Sequence, residues 1–326
     1  MILAGDIGGT KTLIGLYDDL TGRPTPVDVR AFATTEFSGL PAIINAFRGE
    51  QPKSSSIDAA VFGVAGPIID QSAEMTNVEW RVERNELVDT LGIPHVHLLN
   101  DLEAMGYGVS VLNRDELVVL QAGNPRPTGN LALIAAGTGL GEALLHYVDG
   151  RYRPIPSEGG HTDFAARTDR ELELVRFLTN RYGRAELEHV VSGPGILNLS
   201  EFTHRGRPCE AIAHFDGDVP DMPAEVSRSA LAGKCECCVE ALTMFVEAYG
   251  AAAGNLALTA VTSGVFVGGG IAPQILSALQ DGRFLRAFND KGPMRPLLES
   301  VRVQVILNPE SGLLGAAVYA RGMAGH

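Results

Sequence analysis

At 326 residues the chain exceeds what one small core accommodates, so two domains are expected; 45% hydrophobic and 20% charged residues describe an ordinary globular protein. The formal net charge of −13 argues against nucleic acid and anionic membrane as partners, because both ask for clustered Lys and Arg, and leaves small neutral or metal-chelated substrates open.

The opening Met1-Ile2-Leu3-Ala4-Gly5-Asp6 has no basic start, and Asp6 interrupts the apolar run, so no signal peptide is expected. Residues 1–7 and 12–16 read as two strands joined by the turn Gly8-Gly9-Thr10-Lys11, and 27–33 alternate at period two as a half-buried strand does. The short apolar runs 59–64 and 95–99 fit buried strands of a mixed or parallel sheet, with helical spacing between them over 83–91. A second strand–turn–strand unit covers 131–147 around Gly137-Thr138-Gly139, and its likeness to the first suggests two related domains. Thr168 and Glu171 form a capping box ahead of a helix with Leu174, Val175, Leu178 and Tyr182 on one side. A long helix is expected over 237–258, a strand at 265–267, another at 301–306, and a closing helix over 312–321. The uncharged stretch 248–280 is interrupted by Gly254, Asn255, Thr262, Ser263, Gly268–Gly270 and Pro273. It reads as a buried helix, strand and turn, not a bilayer span.

The four cysteines, Cys209, Cys235, Cys237 and Cys238, make a poor disulfide framework and are expected as reduced thiols of a cytoplasmic protein. With His204 or His214 they offer zinc-ligand chemistry, but at a spacing that matches no common zinc pattern.

Five motifs carry chemistry. Gly5-Asp6-Ile7-Gly8-Gly9-Thr10-Lys11-Thr12 nearly matches a P-loop, yet a strand follows where a P-loop needs a helix. Its turn offers backbone N–H groups to a phosphate, and Asp6 suits Mg²⁺ held through water. A plain hairpin turn with a solvated Asp fits the same residues. Gly137-Thr138-Gly139-Leu140-Gly141 reads as a second phosphate-facing hairpin, its spacing departing from a dinucleotide fingerprint. Asn100-Asp101 ends a buried strand and opens a helix, where α/β folds bind ligands; taken alone, the pair is better explained by helix capping. Glu158-Gly159-Gly160-His161 can direct two polar side chains at sugar hydroxyls, or lie in an ordinary surface loop. Val267-Gly268-Gly269-Gly270 lets a flat ligand approach the backbone, or simply turns strand into helix.

Together and in this order the motifs resemble the bacterial glucokinase family, within the actin-like and hexokinase-like phosphotransferases. The resemblance also rests on Met75-Thr76-Asn77-Val78-Glu79-Trp80, Glu188-His189-Val190-Val191-Ser192-Gly193-Pro194-Gly195, Gly254-Asn255-Leu256 and Gly312-Leu313-Leu314-Gly315. It implies an α/β, two-domain actin-like ATPase (ribonuclease H-like) fold with an interdomain cleft, the small domain formed by 1–110 plus 308–326 and the large one by 111–307. It implies transfer of the ATP γ-phosphoryl group to the 6-hydroxyl of glucose, with Asp101 as general base. Asn77, Asn100, Glu158, His161 and Glu188 would join Asp101 around the sugar. Asp6, Gly8, Gly9, Thr10, Lys11, Gly137, Thr138, Gly268 and Gly269 would hold ATP, with Mg²⁺ near Asp6, in a cytoplasmic homodimer. Glu158→Gln or His161→Ala would then weaken discrimination at the anomeric end of the sugar. Zinc-bearing relatives place a cysteine cluster soon after the Gly-His pair, and none follows His161; nor is there room for a repressor's DNA-binding helices before Gly9. The alternatives are a kinase for another hexose, a non-catalytic sugar sensor, or an actin-like ATPase acting on proteins.

Overall fold

In a computed structural model of the chain, residues 1–18, 22–49, 57–75, 78–93, 95–209, 212 and 221–324 are described. The chain begins β1 (Ile2–Ile7), β2 (Lys11–Tyr17), β3 (Pro26–Ala33), α1 (Leu40–Gly49), β4 (Ala59–Val64), β5 (Ser72–Glu74), β6 (Arg81–Glu83), α2 (Arg84–Leu91), β7 (His95–Asn100) and α3 (Asp101–Val109). It continues through β8 (Leu117–Gln121), β9 (Leu131–Ala136), β10 (Leu140–Val148), β11 (Arg151–Ser157), α4 (Asp169–Tyr182), α5 (Gly193–His204), α6 (Met222–Leu231) and α7 (Glu236–Thr259). It ends with β12 (Gly264–Gly268), α8 (Ile271–Gln274), α9 (Leu276–Gln280), α10 (Arg283–Asn289), α11 (Arg295–Ser300), β13 (Arg302–Ile306) and α12 (Ser311–Ala324). These elements gather into two compact units, 1–113 with 152–156 and 308–326, and 114–151 with 157–307.

In the first unit the sheet runs β3-β2-β1-β4-β7, antiparallel through β3, β2 and β1 and parallel from β1 to β7. Side chains alternate across a strand, so β1 serves two cores. Leu3 and Ile7 join Leu40, Ile44 and Phe47 of α1 and Leu87 of α2. Ile2 and Ala4 pack instead with Ala104 of α3 and Leu313, Ala316 and Ala317 of α12. Asp6 continues the second set and therefore faces the α3–α12 layer. Those two helices meet through glycine: the three atoms nearest a Cβ on Gly315 would all be backbone, the Ala104 carbonyl first, and one on Gly108 would lie 2.5 Å from the Ser311 carbonyl. The alternation of β3 does not produce the single buried face expected of it. It is the edge strand, Val27 is 57% exposed, and Val29 and Phe32 lean on opposite cores.

In the second unit the strands β10-β9-β12-β13-β8 are neighbours in that order, with β9, β12 and β13 parallel. Ala132, Ile134 and Ala136 of β9 pack toward α7, whose Phe245, Tyr249, Ala253 and Leu256 form the centre of the core. Gly250 and Gly254 admit α10, whose Phe284 and Phe288 carbonyls would sit 2.2 and 2.5 Å from added Cβ atoms. The uncharged stretch 248–280 thus folds as the end of α7, buried β12 and the short helices after it. No helix among the described residues is long and apolar enough to cross a membrane. Thr168 caps α4 by accepting from the Glu171 N–H, but Glu171 does not close the expected box; its carboxylate accepts from the N–H and guanidinium of Arg167.

Candidate active site

The first unit contributes two carboxylates at one end of its sheet. The turn after β1 is closed by the Gly8 N–H donating to the Lys11 carbonyl (3.0 Å). It is anchored from beneath by Thr34, whose hydroxyl donates to the Gly8 carbonyl (2.8 Å) and whose N–H donates to the Thr10 carbonyl. Thr34 in turn accepts from the buried Thr12 hydroxyl. This leaves Gly9, Thr10 and Lys11 at the surface of the turn with their conformation set from below.

Asp6 precedes that turn. Burial pushes its carboxyl up to about 6, against the pull of Lys11. No hydrogen bond reaches this carboxylate among the described residues, and Gly312 in the first turn of α12 approaches it so closely that a Cβ there would lie 3.0 Å from Oδ2. A partly hidden, unpartnered carboxylate beside a glycine turn is the donor chemistry a hydrated Mg²⁺ requires.

Asn100 ends β7 and caps α3: its Oδ1 accepts from the Leu102 and Glu103 N–H groups, and its amide donates to the Gly66 carbonyl. The capping reading of this residue is therefore realised, and one amide hydrogen remains beyond these bonds. Asp101 is the first residue of α3, its Oδ1 accepting from the Leu102 N–H at 2.8 Å. Gly63 of β4 seats this helix start, with its would-be Cβ 2.9 Å from the Ala104 Cβ and 3.7 Å from the Asp101 Cα. Gly63 pairs with both Asp6 and Leu99 in the sheet register, so the two acidic residues rise from the ends of β1 and β7, the strands that flank β4. Asn77 lies outside the described residues.

The second unit gathers the remaining candidates. The turn 137–139 between β9 and β10 is closed by the Gly137 N–H donating to the Gly139 carbonyl, and Thr138 is exposed at its tip. Glu188 lies against it: the Leu140 N–H donates to Oε2 at 2.8 Å, and a Cβ on Gly139 would lie 2.6 Å from that same oxygen. The Glu188 backbone is held in turn, its N–H on the Gly160 carbonyl and its carbonyl accepting from Ser192, the cap of α5. Glu158 precedes the short turn Gly159–His161, and both Glu158 and His161 are exposed.

His161 Nδ1 contacts Glu186 Oε2 at 3.0 Å. That bond, with the charges of Glu188 and Glu158 nearby, holds the imidazole above its ordinary range. Sequence reasoning does not single out Glu186. Its only signal there is its place two residues before Glu188, where a loop carboxylate looks like any other.

Tyr249 escapes sequence reasoning as well. Its fully buried hydroxyl lies 3.1 Å from the carbonyls of Ile134 and Gly268 and accepts from the Ala136 N–H at 3.2 Å. It therefore ties the strand ends that lead into the Gly137 turn and the Gly269 turn. Gly269 has φ +83°, and a Cβ there would lie 2.2 Å from the Ala136 carbonyl, so glycine is required. Tyr249→Phe leaves these groups buried without their hydroxyl. The expected outcome is a loss of about 1–3 kcal/mol in stability. Denaturant unfolding checks this, and an unchanged midpoint would contradict it.

Among the comparisons with known proteins, the family model described as glucokinase matches residues 3–323. A glucokinase of Nostoc punctiforme is 39% identical over 338 aligned residues, covering 98% of each chain. A crystal structure of glucokinase from an Antarctic psychrotroph superposes with a TM-score of 0.85 at 30% identity, covering 98% of both chains. A ROK family glucokinase from Streptomyces griseus, solved with glucose and AMPPNP, has a TM-score of 0.68 at 21% identity over 98% of this chain and 99% of its own; that likeness concerns the fold alone.

Proposed function

The chain belongs to the glucokinase family, and from this premise we propose that it transfers the γ-phosphoryl group of ATP to the 6-hydroxyl of glucose, giving glucose 6-phosphate and ADP. The observation that carries the reading is Asp101, a carboxylate at the head of α3, fixed by the Asn100 cap and seated on Gly63 of β4, the strand between its own and that of Asp6. A sensor that only binds sugar has no use for a base in that position.

Phosphoryl transfer asks a protein for positioning and charge stabilisation more than for covalent chemistry. Asp101 accepts the proton of the sugar 6-hydroxyl. Asn77, Asn100, Glu158, His161 and Glu188 hold the other hydroxyls. The backbone of Gly8, Gly9 and Thr10, with Lys11 beside it, receives phosphate oxygens, and Gly137 and Thr138 receive others; Gly268 and Gly269 allow the adenosine to lie against the backbone. Asp6 would hold Mg²⁺, which would supply neutralisation of the charge that spreads over the phosphates. The actin-like, ribonuclease H-like organisation, with a small domain of 1–110 plus 308–326 and a large one of 111–307, agrees with this division of labour. A cytoplasmic homodimer acting at the entry to glycolysis completes the reading.

The Glu186 bond gives His161 a pH signature. With Nδ1–H donating to Glu186, neutral His161 presents an Nε2 lone pair, whereas the imidazolium presents an N–H donor. The raised pKa keeps the donor form populated above the ordinary titration range. KM for glucose is therefore expected to rise as pH climbs through the His161 pKa, and Glu186→Gln should move that rise to lower pH with little change in kcat. Identical KM–pH profiles for the two proteins would remove His161 from the sugar site.

The reading is tested by assaying the purified chain with ATP, Mg²⁺ and a panel of glucose, mannose, fructose and N-acetylglucosamine. Glucose-selective turnover that greatly exceeds ATP hydrolysis without sugar is expected. Hydrolysis indifferent to sugar would overturn the proposal, and preference for another hexose would change the substrate.

A further inference from the structure

His204, Cys209, Cys235 and Cys238 take no part in the chemistry above, yet their ligand atoms all lie within 4.8 Å of one another. The geometry points to a structural zinc site formed by these three thiolates and one imidazole, in the second compact unit. His204 is the last residue of α5, Cys209 follows it by five residues, Cys235 is the N-cap residue of α7, and Cys238 lies in the first turn of that helix. The spacing along the chain matches no common zinc pattern, and it is the fold that assembles the four. Cys237 obscures the pattern, but Cys235 and Cys238 are a Cys-x₂-Cys pair, and the fold brings His204 and Cys209 to them. His214 lies outside the described residues.

Three observations carry the assignment. First, the spacing suits a tetrahedron. Zn–S bonds of about 2.3 Å and Zn–N bonds of about 2.0–2.1 Å place sulfurs about 3.8 Å apart, and sulfur about 3.5 Å from nitrogen. Cys209 Sγ and Cys238 Sγ are 3.6 Å apart, and Cys235 Sγ is 3.3 Å from His204 Nε2. Second, the imidazole is oriented as a ligand: Nδ1 lies 2.7 Å from the Ser200 carbonyl, which can only accept, so Nδ1 carries the proton and the Nε2 lone pair faces the sulfurs. Third, the ligands are held in a partly buried frame. Cys238 is 0% exposed and His204 6%, and the Thr203 hydroxyl donates to the Cys237 carbonyl, joining the end of α5 to the start of α7. Thiolates at a helix N-terminus are further favoured by its dipole.

Four protein ligands leave no open position, so the ion is structural, not catalytic. It secures the ends of α5 and α7 remote from Ser192 and Tyr249, the residues through which those helices support Glu188 and the glycine turns.

The test uses the full chain, purified with any affinity tag removed, and measures metal by mass spectrometry. About one zinc per chain is expected, with Cys235→Ser, Cys238→Ser and His204→Ala each losing it and Cys237→Ser retaining it. Where a variant fails to fold, Co²⁺ added to chelator-stripped wild type decides: intense ligand-field bands of tetrahedral thiolate cobalt, displaced by Zn²⁺ and equally present in Cys237→Ser, are expected. Wild type without zinc and without such bands would overturn the site. So would a Cys209–Cys238 disulfide in freshly purified protein, or equal loss of metal in Cys237→Ser.

Discussion

Asp101→Ala is expected to lower kcat by about 10²–10⁴-fold, the usual contribution of a positioned general base, while glucose affinity falls far less. The fold should tolerate the change. The Leu102 N–H that donates to Asp101 Oδ1 is also served by the Asn100 cap, and alanine is a good helix former. Stability is therefore expected to change by about 1 kcal/mol, the scale of a partly exposed charge at a helix N-terminus. Separate measurement of kcat and of the glucose dissociation constant checks this. Turnover at the wild-type rate would remove Asp101 from the chemistry.

Asp6→Asn should separate stability from activity. Burial raises the Asp6 carboxyl from 3.8 to about 6, so the folded chain binds that proton more tightly than the unfolded chain. The resulting stability is complete below pH 3.8 and is lost as pH rises through about 6. A rise of that size corresponds to roughly 3 kcal/mol, which wild type forgoes at pH 7 when no cation offsets the buried charge. The amide introduced by Asp6→Asn carries no charge, so without Mg²⁺ the variant should be the more stable protein at pH 7, by up to about 3 kcal/mol. That advantage should vanish near pH 4. Mg²⁺ should raise the wild-type Tm and leave the variant's unchanged, and Mg²⁺-dependent turnover should collapse in the variant. A variant less stable than wild type at pH 7 would show that the carboxylate is satisfied in some other way.

Much of this site is visible in the sequence because its parts are local. The hairpin Gly8–Lys11 and the junction Asn100-Asp101 are each written in a few adjacent residues, by glycines between apolar runs and by an Asn cap at a strand end. Residues acting through distant backbone are not visible in this way. Tyr249 looks like any aromatic in an apolar helix, since its partners at Ile134 and Ala136 lie 115 and 113 residues away. Glu186 acts through His161, 25 residues earlier. The cysteine–histidine cluster is hidden for a related reason: Cys209 and Cys238 are separated by 29 residues, and the fold, not the spacing, unites them. The edge position of β3 is hidden too, because period-two alternation does not say which strand lacks a neighbour.

The most direct test is a single reaction followed to its product: purified chain, ATP, Mg²⁺ and glucose, with the sugar phosphate isolated and its esterified position assigned by NMR, in parallel for wild type and Asp101→Ala. Glucose 6-phosphate formed in step with ADP by wild type, and nearly absent in the variant, is the predicted result. ADP release without sugar phosphate, phosphate on another hydroxyl, or equal yields from the two proteins would contradict it.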